Sequence, residues 1–129
     1  MSETPQIELG KIGWIDLTIE DADGVRDFYK SVVGWETSDI SMGDYNDYCM
    51  HPPGSAPVAG VCHARGTNVG LPAQWLIYIT VADLEQSIAR CVELGGAVLV
   101  APKSAGEHGK YCVIRDPAGA VCGLFQKVG

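Results

Sequence analysis

The chain has 129 residues, 47% of them hydrophobic and 19% charged, and a formal net charge of −7 at pH 7. This length and composition predict one globular domain with a core of its own. The sequence has no basic cluster, which disfavours nucleic acid and anionic membrane surfaces as partners, because phosphate groups are held by lysine and arginine in quantity. It also has no apolar run near the ~20 residues that a membrane span needs.

The start of the chain and its cysteines indicate the compartment. The polar start, Met1 to Glu8, has no apolar core typical of a signal peptide. An odd number of cysteines, without CxxC spacing and mostly inside apolar stretches, favours reduced thiols over disulfides. We therefore expect a cytosolic protein. The cysteines are Cys49, Cys62, Cys91, Cys112 and Cys122.

The first half of the chain predicts a strand, a helix and three further strands. Lys11–Glu20 alternates as a strand does, and Asp21 or Asp23 can cap a helix that runs to about Val33 and ends at Gly34. The predicted apolar stripe of this helix contains Val25, Phe28, Tyr29, Val32 and Val33. The strands that follow are predicted at Trp35–Ile40, Tyr45–His51 and Pro57–Ala64.

The second half repeats this order after a linker rich in glycine, asparagine and proline, Arg65–Ala73. Its helix is predicted at Leu84–Leu94, and a polar loop at Pro102–Gly109 separates two later strands. The predicted strands are Gln74–Ala82, Ala97–Ala101, Lys110–Arg115 and Ala120–Gln126.

An internal repeat connects the two halves. Trp14–Arg26 is echoed by Leu76–Ile88 at an offset of 62, and Gly60 has its counterpart in Gly123 at an offset of 63. A chain that repeats itself in this way consists of two copies of one supersecondary unit. We therefore predict an α+β fold in which one domain, residues 1–129, contains two tandem βαβββ units, at about 10–64 and about 74–126. Two such units usually meet face to face, so a cleft near their pseudo-two-fold axis is the first place to look for function.

Several motifs in this framework resemble the glyoxalase / bleomycin-resistance / extradiol-dioxygenase (vicinal oxygen chelate) superfamily. The resemblance covers about Lys11 to Gln126 and implies a curved eight-stranded mixed sheet around a central cleft, with the helices on its outer face. It rests on Ile15, Leu17, Ile19, Asp21, Phe28-Tyr29, Gly34-Trp35, Leu94-Gly95-Gly96, Asp116-Pro117-Ala118-Gly119 and Leu124.

The resemblance also implies where metal ligands would stand. In metal-dependent members the ligands come from the first and fourth strands of each unit, and these positions correspond to Trp14, Gly60, Leu76 and Gly123. None of these side chains can bind a divalent ion. We therefore predict that the family's metal chemistry is absent and that there is no cofactor.

The histidines offer no clear replacement for these ligands. His51, His63 and His108 lack ligand spacing, and alternation points His63 away from Cys62. His108 stands beside Glu107 in the polar loop, which is a weak lead, and the pattern is more typical of exposed loop residues.

Strand alternation predicts which side chains line the cleft. Apolar walls with sparse polar groups are typical of small-molecule sites, and the two glycines are expected to leave room there. The alternative is that Trp14 fills the space. The predicted ligand-binding residues are Trp14, Asp16, Thr18, Val58, Gly60, Cys62, Leu76, Tyr78, Thr80, Val121, Gly123 and Phe125.

Asp16 is the candidate functional acid. A carboxylate on an apolar face is partly desolvated, which raises its pKa and suits a general base or an anchor for a cationic ligand. The alternative is a structural partner of Tyr78. Cys62 and Cys112 are possible nucleophiles, but no spacing pairs either with a base.

Three functions remain open at this point. The chain is predicted to be a metal-free module that binds a small apolar or aromatic molecule. Alternatively it is an enzyme of lyase or oxidoreductase type, either metal-free with Asp16 as base or using a metal held by other residues. A third alternative is a dimerising or regulatory protein with a vestigial cleft. A homodimer is expected from the resemblance and from the need to cover exposed sheet edges.

Overall fold

The computed structural model describes residues 8–128, so the polar start up to Ile7 lies outside the described residues. The chain divides into two compact units. The N-terminal unit is Trp14–Trp75, and the C-terminal unit consists of residues 76–128 together with residues 8–13. The stretch predicted as a linker, Arg65–Ala73, belongs to the N-terminal unit and contains a 3-10 helix at Gly66–Asn68.

The elements up to Trp75 follow the predicted order. Strand β1 (Ile12–Ile19) precedes helix α1 (Ala22–Val33), and strands β2 (Glu36–Ser41), β3 (Asn46–His51) and β4 (Ala59–His63) follow. Of the two predicted caps, Asp21 is the one used, since its carboxylate accepts a hydrogen bond from the backbone N–H of Gly24 at 3.0 Å. Gly34 ends the helix in the left-handed conformation, with φ of +77°.

The C-terminal unit repeats this order. Strand β5 (Trp75–Thr80), helix α2 (Leu84–Glu93) and strands β6 (Ala97–Ser104), β7 (Gly109–Arg115) and β8 (Val121–Lys127) follow one another. Asp83 caps α2 by accepting from the N–H of Gln86 at 3.2 Å. Asp116 forms the turn before β8, where its carboxylate accepts from the N–H groups of Ala118 and Ala120.

The eight strands form one mixed sheet in the hydrogen-bonded order β2-β3-β4-β1-β5-β8-β7-β6. The pairs β1–β4 and β5–β8 are parallel, whereas β2–β3, β3–β4, β6–β7 and β7–β8 are antiparallel. The predicted α+β class with two βαβββ repeats is therefore confirmed. None of the helices within residues 8–128 is long and apolar enough to cross a membrane.

Each unit has a core of its own under its helix. In the N-terminal unit, Ala22 at the start of α1 joins Tyr48, Met50 and Val61, and Ile19 packs against this cluster. In the C-terminal unit the buried cluster consists of Leu84, Cys112, Ile114 and Leu124. In both units these residues alternate along the strands with side chains that point to the opposite face of the sheet.

The predicted stripe of α1 is partly wrong. Phe28, Val32 and Val33 are all more than half exposed, while Tyr29 packs against Trp35 and Trp75 and accepts a hydrogen bond from the indole of Trp75 at 3.2 Å. Helical periodicity identified an apolar side of the helix. It did not show how much of that side the strands cover.

The predicted loop at Pro102–Gly109 is also corrected. Strand β6 continues to Ser104 with irregular register after Val98, and a 3-10 helix follows at Gly106–His108. Because β6 is the last strand of the sheet, the missing N–H of Pro102 removes no hydrogen bond that a central strand would need.

Candidate functional site

A polar face lies on the N-terminal unit, on the side of the strands away from α1. In the pairing register Asp16 of β1 stands beside Gly60 of β4, which in turn stands beside Cys49 of β3. Thr18 stands beside Cys62 in the next row. Paired residues point to the same side of a sheet, so these side chains share a surface. We call it the Asp16 face; it consists of Trp14, Asp16, Thr18, Asp47, Cys49, Gly60 and Cys62.

Asp16 is held in place by its own strand. The indole Nε1–H of Trp14 donates to Oδ1 of Asp16 at 2.7 Å, because residues two apart on a strand lie on one face. The carboxylate lies over Gly60, where an added Cβ would overlap it and would come within 3.4 Å of the Trp14 ring. The glycine at this position therefore accommodates the Trp14–Asp16 pair, and the expected empty space above it is occupied.

The environment of Asp16 changes its acidity. The residue as a whole is partly exposed, but desolvation of the carboxylate is the largest cause of a rise in its pKa from 3.8 to about 6. The hydrogen bond from Trp14 acts in the opposite direction, and the negative charge of Asp47 adds to the rise. A carboxyl group with this pKa exchanges its proton near neutral pH, as an anchor or a general base requires.

The two thiols on this face are held in the protonated form. Desolvation is the largest cause of a raised pKa for both Cys49 and Cys62, and the negative charge of Asp16 adds to it in each case. Since the thiolate is the reactive form, Cys62 is a poor nucleophile here. In the C-terminal unit, burial also raises the pKa of Cys112, to about 11. Neither of the two candidate nucleophiles, Cys62 and Cys112, therefore has the lowered pKa that a nucleophile requires.

The raised pKa of Asp16 predicts a pH-dependent stability. A carboxyl group that binds its proton more tightly in the folded state destabilises the fold as it ionises, so the free energy of unfolding falls as pH rises from about 4 to about 6. A shift of this size corresponds to at most about 3 kcal/mol, and partial exposure reduces the expected fall to about 1–2 kcal/mol. Asp16→Asn should lack this fall in urea unfolding between pH 4 and 7.

Trp14→Phe serves as the matched control for this measurement. It removes the indole donor while keeping a large ring, so the Asp16 pKa should rise further, and the fall should become larger and extend to higher pH. If the free energy of unfolding depends on pH in the same way for the unsubstituted protein and for Asp16→Asn, the Asp16 carboxylate is not desolvated.

The corresponding face of the C-terminal unit is apolar and aromatic. Leu76, Tyr78 and Thr80 are buried, and they alternate with Ile79, which packs on the helix side. Tyr78 is paired with Gly123, and its ring covers the glycine so closely that an added Cβ would overlap it. Tyr111 stacks edge-on against Tyr78 with ring centroids 5.9 Å apart, a contact that the sequence analysis missed.

The predicted lining residues therefore fall into two sets. Trp14, Asp16, Thr18, Gly60 and Cys62 share the Asp16 face. Val58 comes just before β4 and is 46% exposed. Leu76, Tyr78, Thr80, Val121, Gly123 and Phe125 belong to the C-terminal unit, where Val121, Gly123 and Phe125 alternate with the core residue Leu124. The cleft that both sets were predicted to share stays a prediction.

Asp47 and Cys49 are members of the Asp16 face that the sequence analysis did not assign. Their signal was the alternation in β3, where Tyr48 and Met50 are the core residues and the residues between them must point the other way. Asp47 is buried, and its carboxylate accepts from the backbone N–H of His63 at 2.9 Å.

His63 lies beside two acidic side chains other than Asp16. His63 packs between Tyr45 and Tyr48, and its ring nitrogens lie 3.6 Å from Asp23 and 3.4 Å from Asp47. Its ring contacts both the core residue Tyr48 and Asp47 of the Asp16 face, so its predicted orientation away from Cys62 stays a prediction. Among residues 8–128, no group of three or more His, Cys, Asp or Glu side chains is arranged to hold a metal ion. The five cysteines are all free thiols.

Sequence comparison relates the chain to proteins of known family. The family model described as Glyoxalase/Bleomycin resistance protein/Dioxygenase superfamily matches residues 11–122. A Mycobacterium tuberculosis protein named "Putative glyoxylase CFP32" is 30% identical over 128 residues, 98% of this chain and 49% of the relative. The anthracycline biosynthesis protein DnrV of Streptomyces peucetius is 32% identical over 111 residues, 86% of this chain and 39% of the relative. The chain thus spans about half or less of these curated relatives.

Solved structures share the fold at low sequence identity. The methylmalonyl-CoA epimerase of Mycobacterium tuberculosis superposes with a TM-score of 0.58 at 15% identity, covering 90% of this chain and 87% of that one. A superfamily member from Vibrio splendidus 12B01 gives a TM-score of 0.58 at 17% identity, covering 88% and 96%. At this level of identity the likeness concerns the fold alone.

Proposed function

Because this chain belongs to the Glyoxalase/Bleomycin resistance protein/Dioxygenase superfamily, we propose that it binds a small, largely apolar or aromatic molecule on the Asp16 face without the family's metal ion. The observation that carries this proposal is the desolvated Asp16 carboxylate, whose pKa is raised to about 6. A desolvated charge of this kind is costly to the fold, and a ligand that supplies a positive charge or a hydrogen-bond donor would compensate for it.

The neighbours of Asp16 favour an aromatic ligand. Trp14 is partly exposed and offers an indole ring for stacking. Its own N–H is already committed to Oδ1 of Asp16, so the ring contributes apolar surface while the carboxylate supplies the polar contact. A molecule with an aromatic body and an amine or hydroxyl group fits both.

The name of one relative agrees with this ligand class. One relative is named for anthracycline biosynthesis, and anthracyclines are fused aromatic compounds that carry hydroxyl groups. Since this chain matches less than half of that relative, we propose the ligand class and no particular reaction.

A binding screen tests the proposal. Small aromatic amines and phenols, together with Mg²⁺, Mn²⁺, Ni²⁺ and Zn²⁺, would be screened by thermal shift, and hits measured by quenching of tryptophan fluorescence. We expect an aromatic hit whose affinity falls about tenfold in Asp16→Asn, because a charge-assisted contact is lost. Asp39→Asn, on the exposed strand β2, is the matched control and should bind normally. Stabilisation by metal ions alone, or equal affinities for both variants, would contradict the proposal.

A second candidate function is an enzyme of lyase type in which Asp16 is the general base. The pKa of about 6 favours it, because a base that works near neutral pH needs a pKa close to that pH. In that case the reaction rate would rise with pH through about 6 and would be lost in Asp16→Asn. If hits bind but none of them is converted to a product, only the binding function remains supported.

We also propose that the protein forms a homodimer. The resemblance to the family implies it, and among residues 8–128 the strands β2 and β6 are the edges of the sheet, where a partner can pair with the backbone. Light scattering at micromolar concentration should give twice the mass of the chain, and a monomer would contradict this part of the proposal.

A further inference from the structure

The charge of the chain is distributed unevenly between its two units. The N-terminal unit, Trp14–Trp75, contains nine acidic and three basic residues, which gives it a formal net charge of −6. The described residues of the C-terminal unit contain six acidic and six basic residues, so that unit is neutral. A region of one sign attracts ligands of the opposite sign. The unit that carries the Asp16 face therefore favours a cation.

The basic residues of the N-terminal unit do not neutralise Asp16. Arg26 and Lys30 belong to α1, on the other side of the strands, and Arg65 lies 3.9 Å from Asp44. Among residues 8–128, no lysine, arginine or histidine forms an ion pair with Asp16. A positive charge beside this carboxylate must therefore come from a ligand.

The two carboxylates of the Asp16 face differ in the partners that they have. Asp47 accepts from the backbone N–H of His63 at 2.9 Å, and the ring Nδ1 of His63 lies 3.4 Å from the same oxygen. Asp16 accepts at Oδ1 from the neutral indole of Trp14. A carboxylate accepts hydrogen bonds at both of its oxygens. Oδ2 of Asp16 can therefore accept from a ligand.

A second polar atom on this side of the sheet is not satisfied by the chain. His51 follows Cys49 by two residues on β3 and points to the same side, because Tyr48 and Met50 belong to the core under α1. Its Nδ1 is buried and has no hydrogen-bond partner among the described residues. A buried polar atom without a partner is costly, so this side of the sheet has the character of a surface that awaits a ligand.

We propose, as a refinement that rests on the proposed function, that the ligand of the Asp16 face is an aromatic molecule carrying a protonated amine. Its N–H group donates to Asp16, and its ring packs on Trp14. An alcohol of the same shape offers a donor but no positive charge, so it does not neutralise the carboxylate. The indole of Trp14 adds to this preference, because the face of an aromatic ring attracts cations.

A matched pair of probes tests the choice between amine and alcohol. Naphthylmethylamine and naphthylmethanol would be titrated by calorimetry at pH 7.5, where an alkyl amine is protonated. We expect the amine to bind about tenfold or more tightly than the alcohol. Asp16→Asn should weaken the amine about tenfold and change the alcohol less than about threefold. Asp39→Asn removes one charge from the same unit on the exposed strand β2, and it should keep the preference for the amine.

Proton release gives a second readout of the same contact. Near pH 6 about half of the Asp16 side chains are protonated, so binding of the amine should release up to about half a proton, measured from the heats in two buffers. The other titratable groups on this side of β3 and β4 are Asp47, Cys49, Cys62 and His51. Of these only His51 becomes positive on protonation, and His51→Gln should keep the release if the proton comes from Asp16.

Each outcome decides the refinement. Equal binding of amine and alcohol, an equal effect of Asp39→Asn and Asp16→Asn, or loss of the proton release in His51→Gln would overturn it and leave the proposed function standing. Absence of heat with either compound at millimolar concentration would overturn both. Thermal unfolding of every variant without ligand separates lost binding from lost folding.

Discussion

Gly123→Ala is expected to lower the free energy of unfolding by about 2–3 kcal/mol, although it adds a single methyl group. The methyl group would overlap the ring of Tyr78, lying 2.8 Å from its Cγ atom. Tyr78 is buried and stacked on Tyr111, so its ring cannot turn aside without losing those contacts. Urea unfolding at pH 7 measures the loss.

A double-mutant cycle separates this clash from a general effect of glycine. Tyr78→Ala is itself destabilising, but in that background Gly123→Ala should cost less than about 1 kcal/mol, because the overlapping ring is gone. If the losses of unfolding free energy in the two single variants add up to the loss in the double variant, the methyl group does not clash with the Tyr78 ring. Gly70→Ala is the matched control, since nothing lies within 4 Å of its added Cβ.

The lack of space at Gly123, and likewise at Gly60, also affects whether these positions could hold the metal ligands of the family. The resemblance places a fourth-strand metal ligand at Gly123, where any side chain would compete with the Tyr78 ring for the same space. At Gly60 it would compete with Asp16 and Trp14. A single substitution that introduced a metal-binding side chain at Gly60 or Gly123 would therefore clash with these neighbouring side chains.

Gly109→Ala should be the most destabilising alanine substitution among the glycines, at about 3 kcal/mol or more. Gly109 begins β7 with φ of +144° and ψ of −142°, a region that residues with a Cβ rarely enter. The added Cβ would also overlap the backbone carbonyl oxygen of Gln126 and lie 3.0 Å from its carbonyl carbon. Backbone atoms paired in a sheet cannot move aside as a side chain can, so β7 and β8 would have to separate locally.

Gly106→Ala isolates the conformational part of this cost. Gly106 also has a positive φ, +66°, but nothing lies within 4 Å of its added Cβ. We expect a loss of about 1 kcal/mol there, measured by thermal and urea unfolding beside Gly109→Ala. Equal losses for the two variants would mean that the close approach to Gln126 is unimportant.

The sequence by itself determined the local order of the chain. Alternating residues specified β1 and β5 and the faces that their side chains take, because successive side chains on a strand point to opposite sides. Asp21 and Asp83 specified the helix starts, because a carboxylate at that position satisfies free backbone N–H groups. The repeat of these signals predicted two βαβββ units and the family.

Only the tertiary structure decided which side chains meet across strands. Periodicity gives the face of a residue but neither the strand register nor the rotamer, and these two together decided that Tyr78 covers Gly123 and that Asp16 covers Gly60. The space above both glycines was therefore occupied where the sequence predicted room. The hydrogen bond from the indole of Trp14 to Asp16 likewise depends on a distance between two atoms that sequence spacing does not fix.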